Sequence, residues 1–135
     1  MKVQVGPYIN FQGRAREAME YYHAILGGTL ELYAAGEGGA SHPAGPGERI
    51  QHARLSGEGF LLVGSDGNPS YPPTLGDNIA IVLLGTDRAA MQKAFEKLAD
   101  GGQVKMPLTQ GPWGGAAAWL ADRFGITWNL DLQTH

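Results

Sequence analysis

The sequence predicts an α+β fold made of two copies of one strand, helix, strand unit, and three observations predict it. The same order of elements occurs twice, both helical stretches stop at paired glycines, and the strands alternate apolar with polar residues. The first copy runs Tyr8-Ile9-Asn10-Phe11, an amphipathic stretch from Arg14 to Leu26, Gly27-Gly28, then Thr29-Leu30-Glu31-Leu32-Tyr33. The second runs from Asn78 to Leu84, an amphipathic stretch from Asp87 to Asp100, Gly101-Gly102, then Gln103-Val104-Lys105-Met106. Such a repeat in a short chain predicts two modules sharing one core, with a site where they meet.

Each element has a local reason. In the first helix Ala15, Ala18, Met19, Tyr22, Ile25 and Leu26 fall on one stripe of a 3.6-residue repeat, so that stripe must lie on something apolar. In the second, Met91, Ala94, Phe95 and Leu98 repeat the spacing, while Lys93, Glu96, Lys97 and Asp100 point outward. The paired glycines can take a positive φ and close a helix cheaply. In the first strand Ile9 and Phe11 oppose Tyr8 and Asn10, and in the last Ile126, Trp128, Leu130 and Leu132 oppose Thr127, Asn129 and Asp131. From Arg49 to Leu55, Ile50, His52 and Arg54 alternate with Gln51, Ala53 and Leu55, and Phe60 to Ser65 is a continuous apolar run. If the helices cover the apolar faces, the polar faces either meet solvent or curl around a cavity.

Composition narrows the classes. With 135 residues, 43% of them hydrophobic and 17% charged, the chain is long enough for one compact domain and too short for two. Residues 1–135 therefore read as a single domain, with module one about 1–70 and module two about 71–135. A net charge of -3 without a Lys/Arg run offers no footprint for nucleic acid or an anionic membrane. No apolar run approaches the roughly 20 residues of a membrane helix, and Met1 to Gly6 lacks a signal-peptide hydrophobic region, so a cytoplasmic location is expected. The absence of cysteine removes disulfides, a thiolate nucleophile and thiolate metal ligands.

Three stretches interrupt the pattern. Gly36 to Glu48 (GEGGASHPAGPGE) is too rich in Gly and Pro for helix or strand and reads as a long mobile loop, either plain turns or a lid. Asp66 to Asp77 connects the modules, and Thr109 to Gly115 presents Trp113 between glycines. None of these ends in the Gly-Lys-Ser/Thr that cradles phosphate.

Catalytic constellations are scarce. His23 lies beside a helical stripe, His42 is in the long loop, His135 is the last residue, and only His52 falls in a predicted strand. His52 with Arg54 on one face could orient an anionic ligand or act as a general base, against a plain hydrogen-bonded histidine at a sheet edge. Ser65-Asp66 reads as an Asx turn ending a strand, with a hydroxyl and carboxylate pair as the functional alternative. Trp113 and Trp119 flank Ala116-Ala117-Ala118 and could line a pocket, with Trp119 expected in the core.

The ordered segments PYINF (7–11), REAMEYYHAILGG (16–28), IQHARL (50–55), FLLVGSD (60–66), GDNIAIVLL (76–84), KAFEKLADGGQVKMPL (93–108) and WGGAAAWLADRFGITWNL (113–130) carry a resemblance over nearly the whole chain. The chain resembles the PhnB-like branch of the vicinal oxygen chelate superfamily, which includes glyoxalase I, extradiol dioxygenases, fosfomycin-resistance enzymes and bleomycin-binding proteins. The resemblance implies paired βαβββ modules whose strands form an incomplete barrel around a cavity, helices outside, usually in a homodimer. The polar faces, with Tyr8, Asn10, His52, Arg54, Thr127, Asn129 and Asp131, would then point inward. Metal-dependent members place His, Gln or Glu on the first strand of each module and Glu on the last. The matching positions here hold Tyr8, Asn78 and Asn129, poor ligands for a divalent transition metal. His52 and Asp131 could restore a site only by converging on it.

Two functions follow. The first is a protein binding a small polar or aromatic molecule in the cavity, without the usual metal and with its reaction unspecified, using Tyr8, Asn10, His52, Arg54, Asn78, Trp113, Asn129 and Asp131. The second is a metal-dependent lyase, transferase or dioxygenase with zinc, nickel, manganese or iron held around His52. Neutral amides in place of carboxylate and imidazole remove the Lewis acid and favour the first. The branch also carries a ubiquinone-biosynthesis methyltransferase label. No strand, glycine-rich turn and helix unit with an acidic ribose ligand supports it.

Overall fold

In the computed structural model, which describes residues 3–112 and 114–134 and only the backbone at residue 37, the first apolar stripe becomes helix α1 (Ala15–Leu26). Ala15, Ala18, Met19 and Tyr22 are its buried residues, and each large apolar side chain so covered is worth about 1.5–3 kcal/mol. The helix stops where predicted. Gly27 has φ 75° and its N–H donates to the His23 carbonyl, a conformation that a side chain at this position would strain.

The chain divides into two units, Met1–Thr74 and Leu75–His135. In the first, strands β1 (Tyr8–Asn10), β2 (Thr29–Ala35), β3 (Ser41–Pro43), β4 (His52–Gly57) and β5 (Phe60–Ser65) form one sheet in the order β1-β5-β4-β2-β3. β1 runs parallel to β5 and the other pairs are antiparallel. Helix α1 packs on β2, β4 and β5. In the second unit, strands β6 (Ile81–Gly85), β7 (Gln103–Gln110), β8 (Ala116–Ala121) and β9 (Thr127–Leu132) are ordered β6-β9-β8-β7, with helix α2 (Arg88–Ala99) on β7, β8 and β9. Again the first strand is parallel to the last. The repeat is therefore real at the level of topology: two mixed, open α+β sheets, each with one helix on one face, differing by the short strand β3.

Register explains the cores. Ala53, Leu55 and Leu62 are buried under α1, while Ala116, Ala118, Leu120, Trp128, Leu130 and Leu132 are buried in the second unit. Trp128 is 1% exposed, and its indole Nε1–H donates to Asp122 Oδ2 at 2.9 Å. The alternation expected in the last strand, apolar against polar, is thus the alternation between the helix face and the open face.

Several expectations need correction. β6 begins at Ile81, where pairing with Trp128 of β9 starts, so Asn78 precedes the strand instead of standing on it. β7 runs past Met106 to Gln110 with register shifts on either side of Met106. It tolerates Pro107 because β7 is an edge strand and Pro107 falls in the irregularity between Met106 and Thr109, where no ladder pairing is made. The segment 36–48 is not a plain loop: it contains a 3-10 turn (Glu37–Gly39) and β3, whose His42 pairs with Ala34 of β2. Arg16 Nη2 donates to the Gly45 carbonyl at 2.7 Å, and the Gly45 N–H donates to Glu48 Oε1 at 2.7 Å. His42 is therefore on a strand as well as His52. Ile50 leaves the His52 and Arg54 face: it is 1% exposed, lies ahead of β4, and its N–H donates to Asp66. No described helix is long and apolar enough to cross a membrane.

Candidate ligand-binding faces

The open face of the first unit follows from cross-strand pairing. Tyr8 pairs with Val63, Asn10 with Ser65, Arg54 with Glu31 and Val63, and His52 with Tyr33. Paired residues share a face, so Tyr8, Asn10, His52 and Arg54 stand together on the side away from α1. Most are already engaged. The Tyr8 hydroxyl lies 2.6 Å from Ser65 Oγ, and Arg54 Nη2 donates to Gln4 Oε1 at 3.3 Å. Asn10 Oδ1 accepts the Gln12 N–H at 2.9 Å, closing a turn. Tyr33 donates to Glu31 Oε2 at 2.7 Å. That hydrogen bond, then the negative charge of Glu31, pushes the Tyr33 phenol above its ordinary value. The His52 ring lies 6.2 Å from the Tyr33 ring. Tyr8 and Asn10 also line a hollow of about 650 Å³, with Ser65 and Asn68.

The second unit carries the larger cavity, a cleft of about 1000 Å³ lined by Asn78, Val82, Trp119, Asn129 and Asp131 among others. Pairing places Trp119 beside Asn129, Asn129 beside Val82, and Ala117 beside Asp131 and Thr109. Trp119 is 40% exposed on this open face. The expectation that Trp119 is core is overturned, because Ala118 and Leu120 take the inward positions on β8. Lys105 Nζ lies over its ring, 5.0 Å from the centroid, and 3.3 Å from Asp77 Oδ2. Sequence reasoning preferred the core for Trp119 over its pocket alternative, and it missed Asp77 in the cleft lining and Lys105 beside it. The only available signal was the period of two through AAAWLA, which alanines leave almost unreadable. Trp113 lies outside the described residues.

The two most buried carboxylates serve the fold. Asp66 Oδ1 accepts the Ala15 N–H at 2.9 Å and Oδ2 accepts the Ile50 N–H at 2.7 Å. Asp122 Oδ1 accepts from Phe124 and Ile126 N–H, and Oδ2 from Trp128. Asp66 therefore does more than an Asx turn: it caps a helix from 51 residues away.

The donor chemistry does not fit the metal that the resemblance implies. Tyr8 is a phenol hydrogen-bonded to Ser65, the open-face residue that pairs with Asn129 from β6 is Val82, and Asn129 is an amide. Among the described residues no three of His, Asp or Glu gather as a metal site needs. Imidazole and carboxylate bind such ions far better than an amide or a phenol.

Two mixed sheets, each backed by one helix and open on the other face, have the glyoxalase-like α+β fold. A glyoxalase-related enzyme from Fulvimarina pelagi shares the fold at TM-score 0.58 and 18% identity, covering 96% of this chain and 88% of that one. Protein PA1353 from Pseudomonas aeruginosa is 37% identical, with TM-score 0.84 and 98% of both chains covered. A PhnB protein from Bacillus cereus matches at 24% identity and TM-score 0.77, over 97% of this chain and 100% of that one. Residues 3–131 match the family described as 3-demethylubiquinone-9 3-methyltransferase, and the chain belongs to that family.

Proposed function

We propose that this chain binds a small polar or aromatic molecule at the open faces of its sheets, without the metal of its metal-dependent relatives. The observation that carries this reading is the cleft of about 1000 Å³ in the second unit, which offers an aromatic face at Trp119, amides at Asn78 and Asn129, and a carboxylate at Asp131. Ligand sites commonly combine a concave surface with a few polar groups that fix orientation. Methyl transfer, the chemistry in the family's description, has little support in the residues: β1 joins α1 through Phe11 to Arg14, and β6 joins α2 through Thr86-Asp87. Neither link is the glycine-rich turn that cradles a nucleoside cofactor.

Two measurements on one preparation test the proposal. Protein purified without chelator is expected to carry no stoichiometric zinc, nickel, manganese or iron. A small-molecule thermal screen is expected to find ligands that raise the melting temperature, since a ligand at 100 times its Kd stabilises the native state by about 2.7 kcal/mol. Those shifts should shrink in Trp119→Ala. Stoichiometric metal that is lost in His52→Ala would instead establish the metal-dependent reading, with His52 as the ligand.

A further inference from the structure

The charges around the second unit's cleft are unequal. Its lining includes two carboxylates, Asp77 and Asp131, and no Lys, Arg or His among the described residues. Asp77 is answered by Lys105 at 3.3 Å. Asp131, half-buried on β9, has no hydrogen bond or ion pair among the described residues. Trp119 and Asp131 are diagonal neighbours across the β8 and β9 ladder, a placement that sets backbone positions about 7–8 Å apart. Ala117 on β8 and Leu84 on β6 stand opposite Asp131, and Trp119, Ala117 and Asp131 line the one cleft. Lys105 shows that this indole accepts a cation, because its ammonium already lies 5.0 Å from the ring centroid. An ammonium over an aromatic face is held by the ring quadrupole, weakly where water is near.

We infer that the second unit's cleft takes an organic ammonium carrying a flat ring, with its cation on Asp131 and its ring on Trp119, and that Lys105 is the internal cation it displaces. The inference rests on the proposed reading of this cleft as a ligand site. It adds the charge class of the ligand and a specificity role for Lys105. An anion of the same shape meets the unanswered carboxylate of Asp131, and a neutral analogue leaves that charge uncompensated. Lys105 competes for the indole face and raises the apparent Kd of anything that binds there.

Benzylammonium, benzyl alcohol and benzoate form the test, since they share a ring and differ in charge. Each is titrated into 15N-labelled protein while the indole N–H signal of Trp119, assigned by its loss in Trp119→Phe, is followed. Benzylammonium is expected to shift that signal saturably, with the lowest Kd of the three. Lys105→Met should tighten benzylammonium about two- to fivefold, and Asp131→Asn should weaken it by a similar factor while leaving benzyl alcohol unchanged. Circular dichroism confirms that each variant is folded. The inference is overturned if benzoate or benzyl alcohol binds as tightly as benzylammonium, or if neither Lys105→Met nor Asp131→Asn changes the benzylammonium Kd. In those cases the cleft still binds ligands and the broader reading stands. If none of the three probes moves the Trp119 signal, the cleft as a ligand site falls with the inference.

Discussion

The two units repeat a topology and differ in how they use it. On the helix side the copies solve the same problem by different means. α2 is capped locally, Asp87 Oδ1 accepting the Ala90 N–H at 3.2 Å, whereas α1 follows Arg14, which provides no side-chain cap, and borrows Asp66 from the end of β5. On the open side they diverge further. The first face is self-satisfied, with Tyr8 on Ser65, Tyr33 on Glu31 and Arg54 on Gln4. The second leaves Trp119 and Asp131 facing an open cleft. The face that packs on a helix is constrained by the core, and the face that meets no helix is free to change.

The largest expected effect separates the two described tryptophans of the second unit. Trp128→Ala removes a side chain 1% exposed and hydrogen-bonded to Asp122, and should cost about 3–5 kcal/mol. Trp119→Ala, on the open face, should cost less than about 1 kcal/mol. Urea unfolding measures both, and equal losses would show that Trp119 is part of the core.

The two caps give the next contrast. Asp66→Ala removes the acceptor of two buried N–H groups, Ala15 and Ile50, and about 3 kcal/mol should be lost. Asp87→Ala should cost about 1 kcal/mol. If the two losses match, the remote cap is no more than a local one.

The smallest effect concerns the segment that only the first unit carries. The Gly45 N–H, and then His42 at 3.0 Å, hold the Glu48 carboxyl below its ordinary value of 4.5. A depressed carboxyl stabilises the fold above its unfolded pKa, and that contribution fades as pH falls below 4.5 through the folded value. Wild type should therefore exceed Glu48→Gln slightly in urea midpoint near neutral pH, with the gap closing in acid well below the glutamate range. A gap that persists there would mean that Glu48 acts through packing instead of charge.

How much of this was legible in the chain depends on the range of the interaction. Both helices and their ends were readable, because the stripe from Ala15 to Tyr22 and the glycine stops are local. The open-face placement of His52, Arg54, Asn129 and Asp131 was readable too, because strand alternation is local. Asn78 was misplaced onto β6 because nothing local marks where pairing with β9 begins. Segment 36–48 hid β3, since Ser41-His42-Pro43 becomes a strand only beside the free edge of β2.

The sequence by itself determined the duplicated order of elements, the helical stripes and the two-faced strands, all of which follow from periodicities within a few residues. Only the tertiary structure decided that Asp66 caps α1, that Trp119 faces outward, and that Lys105 lies over the indole. Those depend on partners brought together by ladder register across long stretches of chain, and a run such as Ala116 to Ala118 carries too little contrast in polarity to reveal which side is which.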